Sequence, residues 1–231
     1  MAEKATALDN IIKLAVMAVG GQGGGVLTNW IVDLAEANGY AVQATSVAGV
    51  AQRTGTTIYY IEMLPDTGRQ PVFALSPVEA DVDIVIAAEW MEAGRAIMRG
   101  FVSPDRTVLI ASSHRALAEV EKAVPGNGIA DDTEVHLAAT KSARRVIAFD
   151  MDSIAVNAGT MISASLFGAI AGADVLPFAV DEFRKTVRRG GRGIEASLTA
   201  FEVAFERAQS EIDASLCPDD ALAECLRPNL I

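Results

Sequence analysis

The sequence predicts an α/β protein with a doubly wound, mostly parallel sheet and a C-terminal helical layer. Short apolar runs alternate with amphipathic helical patterns over residues 13–150. A cluster of glycines separates the first such run from the first helical pattern. From residue 158 onward only helical patterns follow. These observations indicate a Rossmann-like sheet to which further helices are added at the end of the chain.

The chain opens with a strand, a helix and a second strand. Residues Lys13–Val19 form the continuous apolar run that is typical of a buried parallel strand. The helix has apolar residues at helical spacing from Val26 and ends at Asn38-Gly39, a common C-terminal signal. Ala41–Val47 is the next strand, so the sequence predicts a right-handed βαβ unit.

Four further strands and three helices complete the α/β region. The third strand is predicted by β-branched and aromatic residues, and the others by brief apolar runs. The expected strands are Thr56–Met63, Asp83–Ala88, Arg106–Ala111 and Val146–Phe149, and the expected helices are Glu89–Arg99, Ala116–Val124 and 134–144, with a loop at 125–133.

Three helices are expected at the C-terminal end: Thr160–Ala171, Pro177–Arg188, with Pro177 near its first turn, and Ile194–Gln209. The first is apolar nearly all round and carries Ala164, Gly168 and Gly172 at intervals of four, so we expect it to be buried against the sheet or a partner. We assign residues 1–209 to one domain and 210–231 to an acidic tail, or to the start of a longer C-terminal region.

Composition excludes several classes of function. The 231 residues include 19 Lys+Arg and 30 Asp+Glu, a net charge of −11, and no basic stripe, so nucleic acid is not an expected partner. No apolar run approaches the roughly 18 residues of a membrane helix, and no secretory signal is apparent, so we expect a cytoplasmic protein. The 2 Cys are too few for a four-thiolate iron–sulfur cluster, and with 2 His and a Cys spacing that matches no common metal pattern, a self-contained zinc site is not expected. We therefore assign no catalytic residue and no metal ligand to this chain.

The glycines at Gly20–Gly25 lie where open α/β sheets place their ligands, at a strand-to-helix turn. Glycine permits positive φ and close approach, and a helix start offers free N–H groups to an anion. The dinucleotide fingerprint Gly-x-Gly-x-x-Gly fails in every register, and no Walker Lys is near, so NAD and ATP are disfavoured. Contact with a phosphate or carboxylate, and simple tight packing, both stay open.

A second candidate segment is Gln52-Arg53-Thr54-Gly55. Arg53 lies in the otherwise uncharged stretch Ala44–Thr57, after a strand whose carboxyl end is expected beside the glycine turn. Its guanidinium fork suits a carboxylate, a phosphate or an acidic residue of a partner, and a structural ion pair is the alternative.

Two other features are weaker candidates. Ser112-Ser113-His114 pairs a hydroxyl with an imidazole, but neighbours in sequence seldom face each other, so we expect Ser112 or Ser113 to cap the helix Ala116–Val124. The basic residues Arg184, Lys185, Arg188, Arg189 and Arg192 are expected to complement a helix end, with a docking patch as the alternative.

These residues resemble a known family, the gamma-type domain of 2-oxoacid:ferredoxin oxidoreductases, and most resemble the beta subunit of indolepyruvate ferredoxin oxidoreductase. The resemblance rests on Val19-Gly20-Gly21-Gln22-Gly23, Gly39-Tyr40, Ala51-Gln52-Arg53-Thr54-Gly55-Thr56, Asp83–Glu89 and Asn157-Ala158-Gly159, and it extends to about Phe205. Two positions depart from the usual pattern, since Ala18 and Thr54 stand where the family commonly has glycine.

The resemblance implies a subunit of a complex that oxidatively decarboxylates aryl-2-oxoacids such as indolepyruvate to acyl-CoA and passes electrons to ferredoxin. The alternative is a non-catalytic domain with a Rossmann-like fold that binds a nucleotide or coenzyme A or serves in assembly. It implies that thiamine diphosphate and iron–sulfur clusters are held by a larger alpha subunit, that coenzyme A is a candidate cosubstrate, and that the isolated chain is inactive. A homodimer of the chain stays open. The cofactor-binding residues it suggests are Gly20, Gly21, Gln22, Gly23, Gly24, Gln52, Arg53 and Thr54.

Overall fold

Six strands form one mixed sheet in the computed structural model, which describes residues 11–47, 56–68, 71–115, 133–191 and 193–215. The strands are β1 (Ile12–Val19), β2 (Tyr40–Val47), β3 (Thr56–Pro65), β4 (Ile84–Ala87), β5 (Val108–Ser112) and β6 (Arg145–Phe149). The helices of the described ranges are α1 (Gly24–Ala37), α2 (Trp90–Met98), α3 (Thr133–Ser142), α4 (Met151–Ala158), α5 (Ile162–Gly172), α6 (Val180–Arg189) and α7 (Ile194–Ser215).

The sheet has the order β2-β3-β1-β4-β5-β6. Strands β1, β4, β5 and β6 pair in parallel, which confirms the mostly parallel sheet. The opening βαβ unit needs a correction, because β3 lies between β1 and β2 and is antiparallel to both. Only eight residues join β2 to β3, too few for a parallel crossover, so β3 returns directly along its neighbour.

Helices cover both faces of the sheet, as a doubly wound fold requires. Along β1, Leu14 and Val16 belong to the core beneath α1 and α5, whereas Ala15 and Met17 belong to the core beneath α2. Burial on both faces explains why β1 reads as a continuous apolar run rather than an alternating one.

Helix α5 is buried along nearly its whole length, as its sequence predicts. It packs between the sheet and α7, and its glycines make this possible. A Cβ placed on Gly168 would lie 2.2 Å from the backbone oxygen of Phe201, and one on Gly172 would lie 2.4 Å from that of Phe205. The predicted C-terminal helical layer is therefore confirmed, with α7 outermost on this side.

Helix α4 is an element that the sequence reasoning missed. Its start is fixed by Asp150, whose Oδ1 accepts a hydrogen bond of 2.9 Å from the amide of Ser153, and its end by Gly159 with φ 75°. Both end residues can be recognised in the sequence, but a helix of eight residues is too short to show the periodic spacing of apolar residues that identifies a helix.

Other boundaries also differ from expectation. Helix α6 starts at Val180 after the N-cap Ala179, so Pro177 precedes the helix rather than lying in its first turn. Helix α7 continues to Ser215, six residues beyond its predicted end. The expected helix Ala116–Val124 and nearly all of the 125–133 loop lie outside the described residues, and the division at residue 210 stays a prediction.

Within the described ranges, none of the helices combines the length and hydropathy needed to span a bilayer.

Candidate functional site

The order of the strands reverses at the carboxyl edge of the sheet between β1 and β4. Helix α1 follows β1 on one face and leads to β2, whereas α2 follows β4 on the other face and leads to β5. Open α/β sheets bind their ligands at such a reversal of strand order. The glycine turn follows β1 and Glu89 follows β4 at this point.

The glycine turn is held in one conformation by its own hydrogen bonds. Gln22 donates its amide to the carbonyl of Val19 at 3.1 Å, and its side-chain Oε1 accepts from the amide of Val19 at 2.8 Å. Gly21 and Gly23 have φ values of 95° and 70°, which favour glycine. No atom lies within 4 Å of a Cβ built on Gly20 or Gly21, so the outer side of the turn is open.

Gly24 is required for packing instead. A Cβ on Gly24 would lie 2.7 Å from Cε2 of Tyr59 and 2.9 Å from the Cβ of Ala18. Tight packing thus applies to Gly24, whereas Gly20 and Gly21 face open space, and contact of the turn with a ligand stays a prediction. The first N–H groups of α1 have no partner within the helix and stand at this edge.

A small cavity of about 200 Å³ adjoins the turn between α1 and β2. Asn29, Ser46 and Tyr59 contribute to its lining, and it contains no charged residue among those that line it. The lining therefore suits an uncharged polar group next to the helix start.

Gln52, Arg53 and Thr54 lie outside the described residues. The strands that bracket them are described: Val47 ends β2, and Thr56 begins β3 directly opposite Val19 of β1. Strand pairing thus fixes both ends of this segment at the edge that carries the glycine turn. The convergence of Arg53 with the turn stays a prediction.

Two buried glutamates lie at this edge that were not predicted from the sequence. Glu89 and Glu92 are 1% and 0% exposed, at the end of β4 and in the first turn of α2. Oε1 of Glu92 accepts from the Arg95 guanidinium, whereas its Oε2 has no hydrogen-bond partner in the described structure. The available signal was a pair of glutamates three apart in the otherwise apolar stretch that follows the strand.

Burial raises the pKa of the Glu92 carboxyl above its ordinary value, and the charge of Glu89 adds to the increase. The hydroxyl of Thr56 and the guanidinium of Arg95 act in the opposite direction. Because Thr56 pairs with Val19, this acidic pair lies close to the start of the glycine turn. Arg95 serves both glutamates, since its Nη1 also lies 3.9 Å from Oε1 of Glu89.

Ser112 and His114 do face each other, contrary to expectation. Ser112 Oγ lies 2.7 Å from Nδ1 of His114 and accepts from the amide of Met151 at 3.0 Å. The hydroxyl is fully buried and holds the first amide of α4, so it acts as a structural cap there rather than as an accessible nucleophile. A side chain at the end of a strand can turn back toward the following loop, which sequence distance alone does not reveal.

The C-terminal basic residues that the structure describes include two in ion pairs. Arg184 makes a two-pronged contact with Glu202, at 2.7 Å from Nε to Oε1 and 2.8 Å from Nη2 to Oε2. Lys185 Nζ lies 2.6 Å from Oε1 of Glu182. For these two residues a local structural role accounts for the charge.

The ranges that the structure describes contain no cluster of three or more His, Cys, Asp or Glu that could hold a metal, and Cys217 and Cys225 lie beyond them.

Comparisons with known proteins cover nearly the whole chain. Two relatives are "Indolepyruvate oxidoreductase subunit IorB" from Pyrococcus horikoshii and from Thermococcus kodakarensis. The first is 23% identical over 217 residues, which are 87% of this chain and 97% of the relative. The second is 24% identical over 204 residues, which are 85% of this chain and 95% of the relative.

Solved structures of low identity share the fold. The pyruvate oxidoreductase subunit PORC from Thermotoga maritima has a TM-score of 0.61 at 17% identity and covers 85% of this chain and 96% of its own. The gamma subunit of a keto/oxoacid ferredoxin oxidoreductase from Geobacter sulfurreducens PCA has a TM-score of 0.59 at 16% identity, covering 86% and 99%. A 2-oxoglutarate:ferredoxin oxidoreductase from Magnetococcus marinus has a TM-score of 0.60 at 12% identity, with 87% of this chain matching 31% of that one.

A comparison with protein families agrees with these relatives. Residues 13–207 match the family described as "Pyruvate ferredoxin/flavodoxin oxidoreductase", a range that contains the six described strands except for Ile12 and includes most of α7. The resemblance to gamma-type domains noted from the sequence is thereby confirmed. The chain belongs to the pyruvate ferredoxin/flavodoxin oxidoreductase family, as a subunit of the 2-oxoacid:ferredoxin oxidoreductase type.

Proposed function

We propose that this chain is the smaller subunit of a complex that oxidatively decarboxylates aryl-2-oxoacids, indolepyruvate foremost. The reaction releases CO2, joins the remaining acyl group to coenzyme A and passes the electrons to ferredoxin. One observation carries the proposal: the chain aligns over 97% and 95% of two indolepyruvate oxidoreductase subunits. The cytoplasm is the expected compartment, on the sequence alone.

A larger partner subunit supplies the redox chemistry in this proposal. Thiamine diphosphate and the iron–sulfur clusters belong to that subunit, and this chain holds neither by itself. The 2 Cys and 2 His of the whole chain support the division of labour, because a four-thiolate cluster cannot be built from them.

The carboxyl edge is the proposed contact surface within the complex. Gly20 and Gly21 leave the backbone accessible, Gln22 fixes the turn, and the start of α1 directs N–H groups outward. In this proposal the segment between β2 and β3 contributes Gln52, Arg53 and Thr54, and Arg53 supplies a positive charge for the ligand. The ligand is an anionic group of coenzyme A or an acidic side chain of the partner subunit.

Reconstitution tests the subunit assignment. The purified chain alone should be colourless and inactive with any 2-oxoacid. Co-expression with the large thiamine-binding subunit encoded by the same host should yield a coloured complex that reduces ferredoxin with indolepyruvate and coenzyme A. Stoichiometric iron in the isolated chain, or decarboxylation by it alone, would contradict the proposal.

Replacing Arg53 tests the site separately. Arg53→Ala should lower turnover or loosen assembly by about 10- to 150-fold, the equivalent of about 1.5–3 kcal/mol for a charge-assisted hydrogen bond. Arg53→Lys should recover part of the loss, since an ammonium cannot reproduce the guanidinium fork. Arg99→Ala is the matched control, because Arg99 is exposed at the far end of α2.

The Arg53 experiment also separates the two roles proposed for this edge. A rise in the KM for coenzyme A with intact assembly favours cosubstrate binding. Dissociation of the complex at unchanged KM favours a purely assembling domain. Equal behaviour of Arg53→Ala and Arg99→Ala would remove Arg53 from the site.

A further inference from the structure

A groove of about 870 Å³ lies at the amino edge of the sheet, opposite the glycine turn. Ile84 and Val108 begin their strands there, and α3 and the connection from α5 to α6 form the remaining walls. The volume is within the range of about 300–1,000 Å³ that is usual for small-molecule pockets. The groove is therefore large enough for a ligand and separate from the site described above.

The charged residues of the groove are Arg106, Arg144, Arg145, Asp83 and Asp174. Arg106 is already neutralised, because its Nε lies 2.6 Å from Oδ1 of Asp83 and its Nη1 lies 2.5 Å from Oδ1 of Asp81. Asp83 also accepts the amide of Lys13 at 2.8 Å. Arg106 and Asp83 thus form part of a closed structural network, which leaves two arginines and one aspartate.

Arg144 and Arg145 are the two cations that remain in this groove. Arg145 donates from Nη2 to the neutral carbonyl of Ala173 at 2.5 Å, and within the described ranges it makes no ion pair, although Asp174 lines the same groove. Arg144 is exposed, and its side chain makes no ion pair with any residue of the described ranges. Burial lowers the pKa of Arg145, the neighbouring Arg144 lowers it further, and Asp174 opposes this only in part.

Arg144 and Arg145 both line this groove, and an anion that contacts both guanidinium groups would offset the two positive charges. Guanidinium groups bind carboxylates and phosphates through paired hydrogen bonds. Arg106 and Arg184, in contrast, are each paired with carboxylates of the chain itself.

We propose that this amino-edge groove binds a small molecule bearing a phosphate or carboxylate group, which bridges Arg144 and Arg145. The charged lining selects for an anion, and the rest of the groove accommodates the remainder of the molecule. This site is independent of the proposed catalytic complex and is a property of the chain alone.

Calorimetric titration at constant ionic strength tests the proposal, with inorganic phosphate and citrate as probes and chloride as the reference salt. The full-length chain should bind at least one probe saturably, and the comparison of the two shows which anion is preferred. Arg144→Ala should weaken this binding by about 10-fold or more, the loss expected for a charge-assisted hydrogen bond. Arg144 is chosen because it is exposed, whereas loss of Arg145 would also remove the bond to Ala173.

Arg189→Ala is the matched control, since it removes one exposed charge at the end of α6, away from the groove. It should leave the affinity unchanged. Equal loss in the two variants would show general charge attraction only and would overturn the proposal, as would the absence of saturable binding. Amide chemical-shift changes at Gly20–Gly25 rather than at β6 would place the anion at the other edge and would also overturn it.

Discussion

The contact between α5 and α7 gives a sharp prediction about stability. The perturbation is Gly168→Ala, which adds one methyl group at a position where a Cβ would lie 2.2 Å from the backbone oxygen of Phe201 and 2.9 Å from its carbonyl carbon. The distance to the oxygen must grow by at least about 1 Å to reach normal contact. The atoms that the new methyl group meets belong to the backbone of Phe201 and cannot rotate away as a side chain can. Helix α7 as a whole must therefore move away from α5.

The expected magnitude combines two opposing effects. Overpacking a well-filled core costs about 1–3 kcal/mol, whereas alanine in place of glycine favours a helix by about 0.8–1 kcal/mol. Gly94→Ala is the matched control because Gly94 is also helical, and its Cβ would meet the flexible Cγ2 of Val135 at 3.2 Å. The helix-propensity gain is common to both variants, so their difference reports the overpacking.

Thermal and urea unfolding followed by circular dichroism measures this difference. Gly168→Ala should be less stable than Gly94→Ala by about 1–3 kcal/mol, which for this chain length lowers Tm by about 2–12 °C. Gly168→Leu should be less stable still. A Gly168→Ala chain that unfolds at the same temperature and urea concentration as Gly94→Ala would refute the tight α5–α7 contact.

Two other predictions concern the carboxyl edge. Gly24→Ala should destabilise the chain by about 1–3 kcal/mol in urea unfolding, because its Cβ would contact the ring of Tyr59 at 2.7 Å, and the second change Tyr59→Leu should recover part of the loss. The raised pKa of Glu92 means that its stabilising contribution is complete below its unfolded pKa and is lost as pH rises through the folded pKa. Unfolding free energies measured from about pH 4.5 to 8 should therefore increasingly favour Glu92→Gln over the parent, and a difference that does not change with pH would count against the buried charge.

The sequence predicts the elements better than their arrangement. The prediction of a buried strand at Lys13–Val19 is correct because both faces of β1 are covered, and a strand buried on both faces consists of consecutive apolar residues. The position of β3 between β1 and β2 leaves no such mark, since an antiparallel neighbour and a parallel one use the same residue types. Helix α4 is missed because its end signals, Asp150 and Gly159, flank only eight residues.

The candidate site divides in the same way. Positive φ at Gly21 and Gly23 follows from a local rule about glycine, so the turn can be predicted from sequence. The burial of Glu89 and Glu92 depends on which strands and helices surround them, and charged residues in a sequence are normally taken to be exposed. The contact of Ser112 with His114 likewise depends on where α4 begins, because the Met151 amide donates a hydrogen bond to the same Ser112 hydroxyl.

The charge distribution at the carboxyl edge bears on the proposed role of a partner. The turn offers open backbone and helix N–H groups that favour an anion, but the adjacent Glu92 is fully buried, with Arg95 and the hydroxyl of Thr56 beside it. In a low-dielectric interior a nearby carboxylate opposes the binding of a second negative charge. The described part of this edge is therefore shaped to receive an anion but lacks a free cation to hold one. A positive charge from Arg53 or from a partner subunit would complete it, so binding strength and subunit assembly would increase together.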